Sequence, residues 1–350
     1  MTPAELAQAL KEQARQLGFT LAGITSPDLP IHYENYQRWV QAGLHGEMAY
    51  LADERALERR ADPRRILPEC RSILVVGMPY HPPLDPRPKD GLPRGRVAAY
   101  AVGVDYHLVI PPRLQQLVEF LETQVGQSIP NRYYTDTGPL LERDLAQRAG
   151  LGWIGKNTCL ISPKSGSYFL LGEILLGLEL PADRPFVSDH CGTCTRCIEA
   201  CPTGCIRPDR TLDARQCISY LTIENKGDVP LELRPKIGEW VFGCDICQMV
   251  CPWNQRFGQH EVDAAFQPRT GLPFPLIAEE LSLTPQEFNR KFKDSPLKRA
   301  KRRGYQRNLA VAAANSGEKS LQPVLETASQ SHDEPLVSRH AAWAAKTLKK

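Results

Sequence analysis

Nine of the eleven cysteines fall between Cys191 and Pro252, most of them in two related runs. The first reads Cys191-Gly-Thr-Cys194-Thr-Arg-Cys197-Ile-Glu-Ala-Cys201-Pro202, a C-x2-C-x2-C-x3-C-P spacing. That spacing suits cubane iron–sulfur clusters. Three thiolates two residues apart wrap one face of a cluster, and the fourth, ahead of a proline, reaches a second cluster. The second run, Cys244-Asp-Ile-Cys247-Gln-Met-Val-Cys251-Pro252, is the last three-quarters of the same pattern, and Cys217 upstream can supply its missing cysteine. The spacing therefore assigns Cys191, Cys194, Cys197 and Cys251 to one [4Fe–4S] cluster, and Cys201, Cys217, Cys244 and Cys247 to another. Zinc is the competing reading, because C-x2-C pairs also make tetrahedral zinc sites. The two Cys-Pro endings and the third cysteine at x2 weigh against it. A disulfide framework fits less well, since the chain is long and its start lacks a secretion signal. Cys70, Cys159 and Cys205 are left over and read as structural.

Such clusters pass single electrons, so the rest of the chain must hold an acceptor. With 350 residues there is room for two or three domains. Hydrophobic residues make up 42% and charged residues 24%, an ordinary globular mix, and a net charge of +3 says little about partners. No apolar run reaches the roughly twenty residues that span a bilayer, so a cytoplasmic protein with no membrane contact is expected.

In order, Thr2-Pro-Ala-Glu5 reads as a capping box opening a helix that stops at Gly18. Phe19 to Thr25 alternates as a strand, Tyr33 to Tyr50 reads as helical, and Ser72 to Met78 as a buried strand. Residues 79–95 are a proline-rich loop. Pro112 to Val125 and Leu140 to Arg148 read as helices, and Tyr168 to Leu180 as two strands or one bent strand. This mixture makes residues 1–185 an α/β or α+β domain. Residues 186–260 form a bacterial ferredoxin-like two-cluster domain. Residues 261–350 form a basic linker and helices, Gln306 to Asn315, Leu321 to Ser329 and Leu336 to Leu348, whose lengths and proline starts resemble HEAT-type repeats. Nine basic residues against Asp294 crowd the span from Arg290 to Arg307. That density favours nucleic-acid contact over a merely solvated helix face.

Ahead of the clusters, the stretch Tyr134-Thr-Asp136-Thr-Gly-Pro-Leu-Leu-Glu142-Arg143 and the stretch Gly152-Trp-Ile-Gly-Lys156-Asn157-Thr158 are the candidate acceptor site. By itself, an aspartate in such a turn is most simply a cap for the following helix. The ordered series Arg60-Ala-Asp-Pro63, Asp105-Tyr-His107, Asp136-Thr-Gly, Gly155-Lys-Asn157-Thr, Cys-Gly-Thr-Cys and Arg215-Gln-Cys-Ile-Ser-Tyr-Leu-Thr changes that. It resembles the epoxyqueuosine reductase family from about residue 5 to 260 and on into the helical tail. The resemblance implies cobalamin in the α/β domain beside two [4Fe–4S] clusters, in a fold similar to cobalamin-dependent reductive dehalogenases. It implies reduction of epoxyqueuosine to queuosine at the wobble position of tRNAs with GUN anticodons.

Carried over by motif, Asp136 matches the family's proton donor and cofactor contact, and a carboxyl group suits protonation of a departing epoxide oxygen. Arg60 and Lys156 are candidates for corrin amides or phosphate, and Ser219 for a cofactor beside the second cluster. No D-x-H-x-x-G occurs, and His107 lies outside any such motif, so a base-off cobalamin without a histidine ligand is expected. Lys298, Arg299, Lys301, Arg302 and Arg303 are the expected phosphate contacts to an anticodon stem-loop. A monomer fed by an external low-potential electron donor completes the expectation. A reductase of the dehalogenase type leaves the basic tail without purpose. An electron-transfer iron–sulfur protein leaves the large front domain without one.

Overall fold

The computed structural model describes residues 1–80, 82, 87–258 and 261–349. Of the expected loop at 79–95, residues 81 and 83–86 lie outside these. So do 259 and 260, at the expected end of the two-cluster unit, and 350.

A four-stranded sheet forms the front of the molecule. Its strands are β1 (Leu21–Thr25), β2 (Ser72–Pro79), β3 (Asn131–Tyr134) and β4 (Phe169–Leu176), in the order β1-β2-β4-β3. Every neighbouring pair is antiparallel, so the front is α+β. Every residue of β2 is buried, as its unbroken apolar run implies. Leu74 and Val76 share a core with helix α1 (Pro3–Gln16) and helix α2 (Tyr106–Val125). Ile73 and Val75, on the opposite face, pack on helix α3 (Glu142–Arg148). Tyr168 to Leu180 resolves to the single strand β4.

Two local expectations are corrected. The helical span from Tyr33 ends at Gln41, because Gly43 and Gly46 follow with positive φ of 65° and 61°; a separate 3-10 turn covers Ala49–Leu51. Helix α2 starts at Tyr106, six residues ahead of Pro112. Asp105 caps it by accepting the His107 N–H at 3.0 Å. Pro111 and Pro112 each remove a helical N–H, but burial of Tyr106, Ile110, Leu114 and Leu117 along one face outweighs that loss. The correction matters for chemistry, because it puts Tyr106 and His107 on the first turn of a rigid helix.

At the other end, helices α4 (Lys301–Ser316), α5 (Gln322–Ser331) and α6 (Pro335–Leu348) pack side by side. Their core also takes in Val97, Val102, Val241 and Phe242, so packing runs across the boundaries expected near 185 and 260. Arg96–Val97 pairs in parallel with Trp240–Phe242, stitching the front to the cluster region. No helix of the described residues is long and apolar enough to cross a membrane.

The tail is fixed by a buried cation. Arg307, only 1% exposed, donates to the carbonyls of Leu221 at 2.6 Å, Asn225 at 2.8 Å and Gly227 at 2.7 Å, and to Asn308 Oδ1. Asn308 in turn donates to the carbonyls of Thr222 and Val241. Arg307 thus belongs to the interior, and the basic run is exposed only up to Arg303. Replacing Arg307 by Met fills the space but strands the buried Leu221 carbonyl and the part-buried carbonyls of Asn225 and Gly227. That should cost about 3 kcal/mol or more, read as an earlier denaturant transition. An unchanged transition would remove Arg307 as the tail's anchor.

Candidate functional site

The cysteines gather as two fours. Cys197 lies close enough to Cys191, Cys194 and Cys251 for their charges to interact. Cys244 lies likewise beside Cys217 and Cys201, and Cys247 beside Cys244 and Cys217. Each run therefore sends its last cysteine across to the other group, as ligand spacing with a Cys-Pro ending requires. The short helices Arg196–Glu199 and Ile246–Met249 pack against each other and carry the two runs. Among the described residues, no three His, Cys, Asp or Glu side chains converge tightly enough to hold a single metal ion. Two wider rings of four thiols fit a cubane better than a tetrahedral zinc.

A hairpin of the front domain clamps the first ring. Its strands are Trp153–Ile154 and Leu160–Ile161. Trp153 Nε1 points at Cys191 Sγ, 3.4 Å away. Lys156 Nζ donates to the carbonyls of Gly192 at 2.7 Å and Cys194 at 2.9 Å. The ammonium expected at a corrin is thus taken up by the cluster loop. Gly152 is required in this hairpin, since a Cβ there would stand 2.1 Å from the Ile161 carbonyl oxygen. Two of the leftover thiols also belong here. Cys205 Sγ lies 3.4 Å from Cys201 Sγ, and Cys159 hydrogen-bonds with Cys247, while Cys70 is buried in the front core.

Asp136 stands in the turn between β3 and α3. Its φ of 59° puts it in the left-handed region, where aspartate is tolerated better than most residues. It caps no helix: α3 begins at Glu142, and no side chain bonds to its first turn. Its side chain is 65% exposed, and Oδ2 accepts the Tyr106 hydroxyl at 2.8 Å. His107 Nε2 lies 3.9 Å from the same oxygen, and His107 Nδ1 is 2.8 Å from Asp105. The bond to Asp105 pulls the His107 pKa up, against the opposing effect of burial. Behind the turn, the Asp136 N–H donates to Glu142 Oε1 at 2.7 Å. Glu142 touches Glu173, which is wholly buried on β4. Burial is the first cause that raises both pKa values; the Asp136 charge comes next for Glu142, and the Glu142 charge next for Glu173. Sequence reasoning missed Tyr106, His107 and Glu173 as members of this site, and it placed Glu142 in the candidate stretch without giving it a role. The Asp-Tyr-His run was visible, and its helix start was the signal that could have placed it.

The basic run reaches the same place. Arg299 pairs with Glu224 at 3.0 Å and lies over the exposed ring of Tyr50, 5.9 Å from its centroid. It is near enough to Asp136 for the two charges to act on each other. Lys298, Lys301, Arg302 and Arg303 line an open groove of about 510 Å³ with Phe288 and Asn289. Arg302 is paired with Asp333, whereas Lys298, Lys301 and Arg303 have no ion pair among the described residues. Arg60, 6% exposed, has the Ala56 carbonyl and the Tyr36 ring as partners and no carboxylate among the described residues. A buried cation with spare donors suits an anionic or amide-bearing ligand. Ser219 lies on the helix Ile218–Ile223, two residues beyond Cys217.

Two family models match the chain. Residues 190–254 match "4Fe-4S double cluster binding domain", and residues 60–137 match "Epoxyqueuosine reductase QueG, DUF1730". The chain is 44% identical to an epoxyqueuosine reductase of Pseudomonas aeruginosa, covering 98% of this chain and 94% of that one. It is 39% identical to that of Escherichia coli, over 97% and 89% of the two. A crystal structure of epoxyqueuosine reductase with a tRNA-Tyr epoxyqueuosine-modified stem loop superimposes with a TM-score of 0.91 at 31% identity. It covers 99% of this chain and 91% of that one. A Bacillus subtilis epoxyqueuosine reductase, solved with its catalytic aspartate loop swung out of the active site, gives 0.88 at 31% identity over 98% and 90%. Likeness at this level along nearly the whole length, in sequence and in fold, makes the chain a member of the epoxyqueuosine reductase family.

Proposed function

We propose that this protein reduces epoxyqueuosine to queuosine at the wobble position of tRNAs with GUN anticodons, with Asp136 as the acid. The observation that carries it is the Asp136 turn. An exposed carboxyl, backed by Tyr106 and His107, lies within reach of the charge of Arg299 from the basic run. The relative named for a catalytic aspartate loop supports giving Asp136 that part. Removing an epoxide oxygen as water breaks two carbon–oxygen bonds, forms a carbon–carbon double bond, and takes up two electrons and two protons. Asp136 gives one proton to the oxygen as it acquires negative charge. His107, whose pKa the bond to Asp105 raises and whose Nε2 lies 3.9 Å from Asp136, is set to supply the other.

Base-off cobalamin in residues 1–185 would supply the reducing centre beside Asp136, fed by two [4Fe–4S] clusters in residues 186–260. Arg60 and Ser219 are the side chains we assign to hold it. We give Lys156 the task of fixing the cluster-one loop. Residues 261–350 act as a HEAT-like platform for the anticodon stem-loop, in keeping with the side-by-side packing of α4, α5 and α6. The protein works as a cytoplasmic monomer with an external low-potential electron donor.

Three outcomes follow. Anaerobically reconstituted protein should hold about eight irons, by the two-cubane reading. Cys251→Ser should deplete the cluster of Cys191, Cys194 and Cys197, and Cys217→Ser the other. Stoichiometric zinc without iron would contradict the assignment. Asp136→Asn should keep both clusters and bound cobalamin while turnover falls about 10²-fold or more, the scale of a lost general acid. Near-normal turnover would leave Asp136 a turn residue. In the tail, alanine at Lys298, Lys301 and Arg303 should weaken stem-loop binding and flatten its dependence on potassium chloride, since each lost phosphate contact lowers the slope. Arg299 and Arg302, already paired with acids, should contribute less. Equal affinity and slope in mutant and wild type would make the run a solvated face.

A further inference from the structure

The Asp136 turn is open to solvent, yet its chemistry requires a fixed acid. Little on its outer side holds it. The side chain is 65% exposed, and the Tyr106 hydroxyl is its direct hydrogen-bond donor. What holds the main chain lies beneath. The Asp136 N–H meets Glu142 Oε1 at 2.7 Å, a short bond to a carboxyl oxygen. Glu142 sits on the first residue of α3, which is packed by Leu145 and Ala146 against the sheet. Its carboxyl faces Glu173, which is 0% exposed and lies opposite Tyr134 in the pairing of β3 and β4. No N–H or hydroxyl of the described residues donates to either Glu173 oxygen. Two buried carboxyl groups in contact do not readily both ionise, so the pair shares a proton. Glu173 keeps it and donates it to Glu142, and Glu142 turns its remaining oxygen to Asp136. The other charges facing the pair are Asp136 itself and Arg143, whose guanidinium is bonded to the Thr158 carbonyl.

We propose that Glu142, backed by Glu173, is a positioning residue: it anchors the Asp136 turn over the reaction site, and without it the turn leaves. This rests on the reading of Asp136 as the acid. A carboxylate anchor is stronger than a neutral one, and it grips a residue whose left-handed backbone is unfavourable when unsupported.

The test combines amide hydrogen exchange with kinetics, on full-length protein carrying its clusters and cobalamin. Exchange is read on the peptide spanning residues 135–141, and turnover on an epoxyqueuosine stem-loop with excess reductant. Glu142→Ala should speed exchange of that peptide about 10-fold or more, while peptides of α2 keep their rate. Its kcat should fall about 10-fold with KM for the stem-loop within about 2-fold, because a misplaced acid costs rate and not binding. Glu142→Gln keeps an acceptor oxygen and should recover most of both losses. Glu142→Leu, which fills the same space, carries the same expectation as alanine should the cavity prevent folding. Unchanged exchange in the alanine and leucine variants would overturn the anchor. Faster exchange with unchanged kcat would overturn its role in positioning. If wild-type protein left the stem-loop unreacted, the proposed activity would fall, while the exchange comparison would still decide the anchor.

Discussion

The main-chain N–H of Asp136 and the carboxyl of Glu142 meet at 2.7 Å, and on the proposed reading of Asp136 as the acid that bond decides where the acid stands. A proton donor for a departing oxygen works over a distance of about 3 Å, so an ångström of drift is costly. The sheet exists, in this sense, to serve the bond. β3 delivers the turn, β4 places Glu173 beneath it, and α3 seats Glu142 between them. Helix α2 brings Tyr106 and His107 from the other side through its capped first turn. The residues that touch at this site lie far apart in the chain, and each is carried on an element whose own burial fixes it.

Electrons must arrive where the proton is delivered, and the same packing serves that need. The two cysteine runs exchange their last members, so neither ring can form unless both loops are folded. The hairpin at Trp153 and Lys156 ties the first ring's loop to the front domain. Arg307 ties the tail to the segment around Leu221 to Gly227, which follows Cys217. Arg299 closes the circuit by reaching from the tail to the neighbourhood of Asp136. The proposed stem-loop platform of the tail and the proposed acid are thus tied into one packed body.

The cysteine pattern was legible because metal-ligand spacing is local: loop length alone dictates which thiols can face one cluster. The strand at Ser72 and the helices of the tail were legible for the same reason, since burial periodicity is written along the chain. Asp136 was singled out only through resemblance, while its residue type alone pointed to a helix cap that the structure does not contain. Tyr106 and His107 were hidden by Pro111 and Pro112, which suggested a later helix start than the Asp105 cap allows. Glu142 and Glu173 lie 31 residues apart, and nothing in a single sequence pairs them. Arg307 was counted with the surface charges, although the apolar run from Leu309 to Ala314 already marked its helix as interior. Lys156 was drawn toward a cofactor by its motif, and the carbonyls that hold it come from a loop more than 30 residues away.

The most direct test of the central claim is the mass of the product. Cluster-loaded protein, an epoxyqueuosine-modified anticodon stem-loop and a low-potential reductant are combined with and without cobalamin. With cobalamin present, the modified nucleoside should lose the mass of one oxygen atom and co-elute with queuosine; without it, the epoxide should persist. Persistence of the epoxide with cobalamin and both clusters bound, or its loss at the same rate without cobalamin, would contradict it.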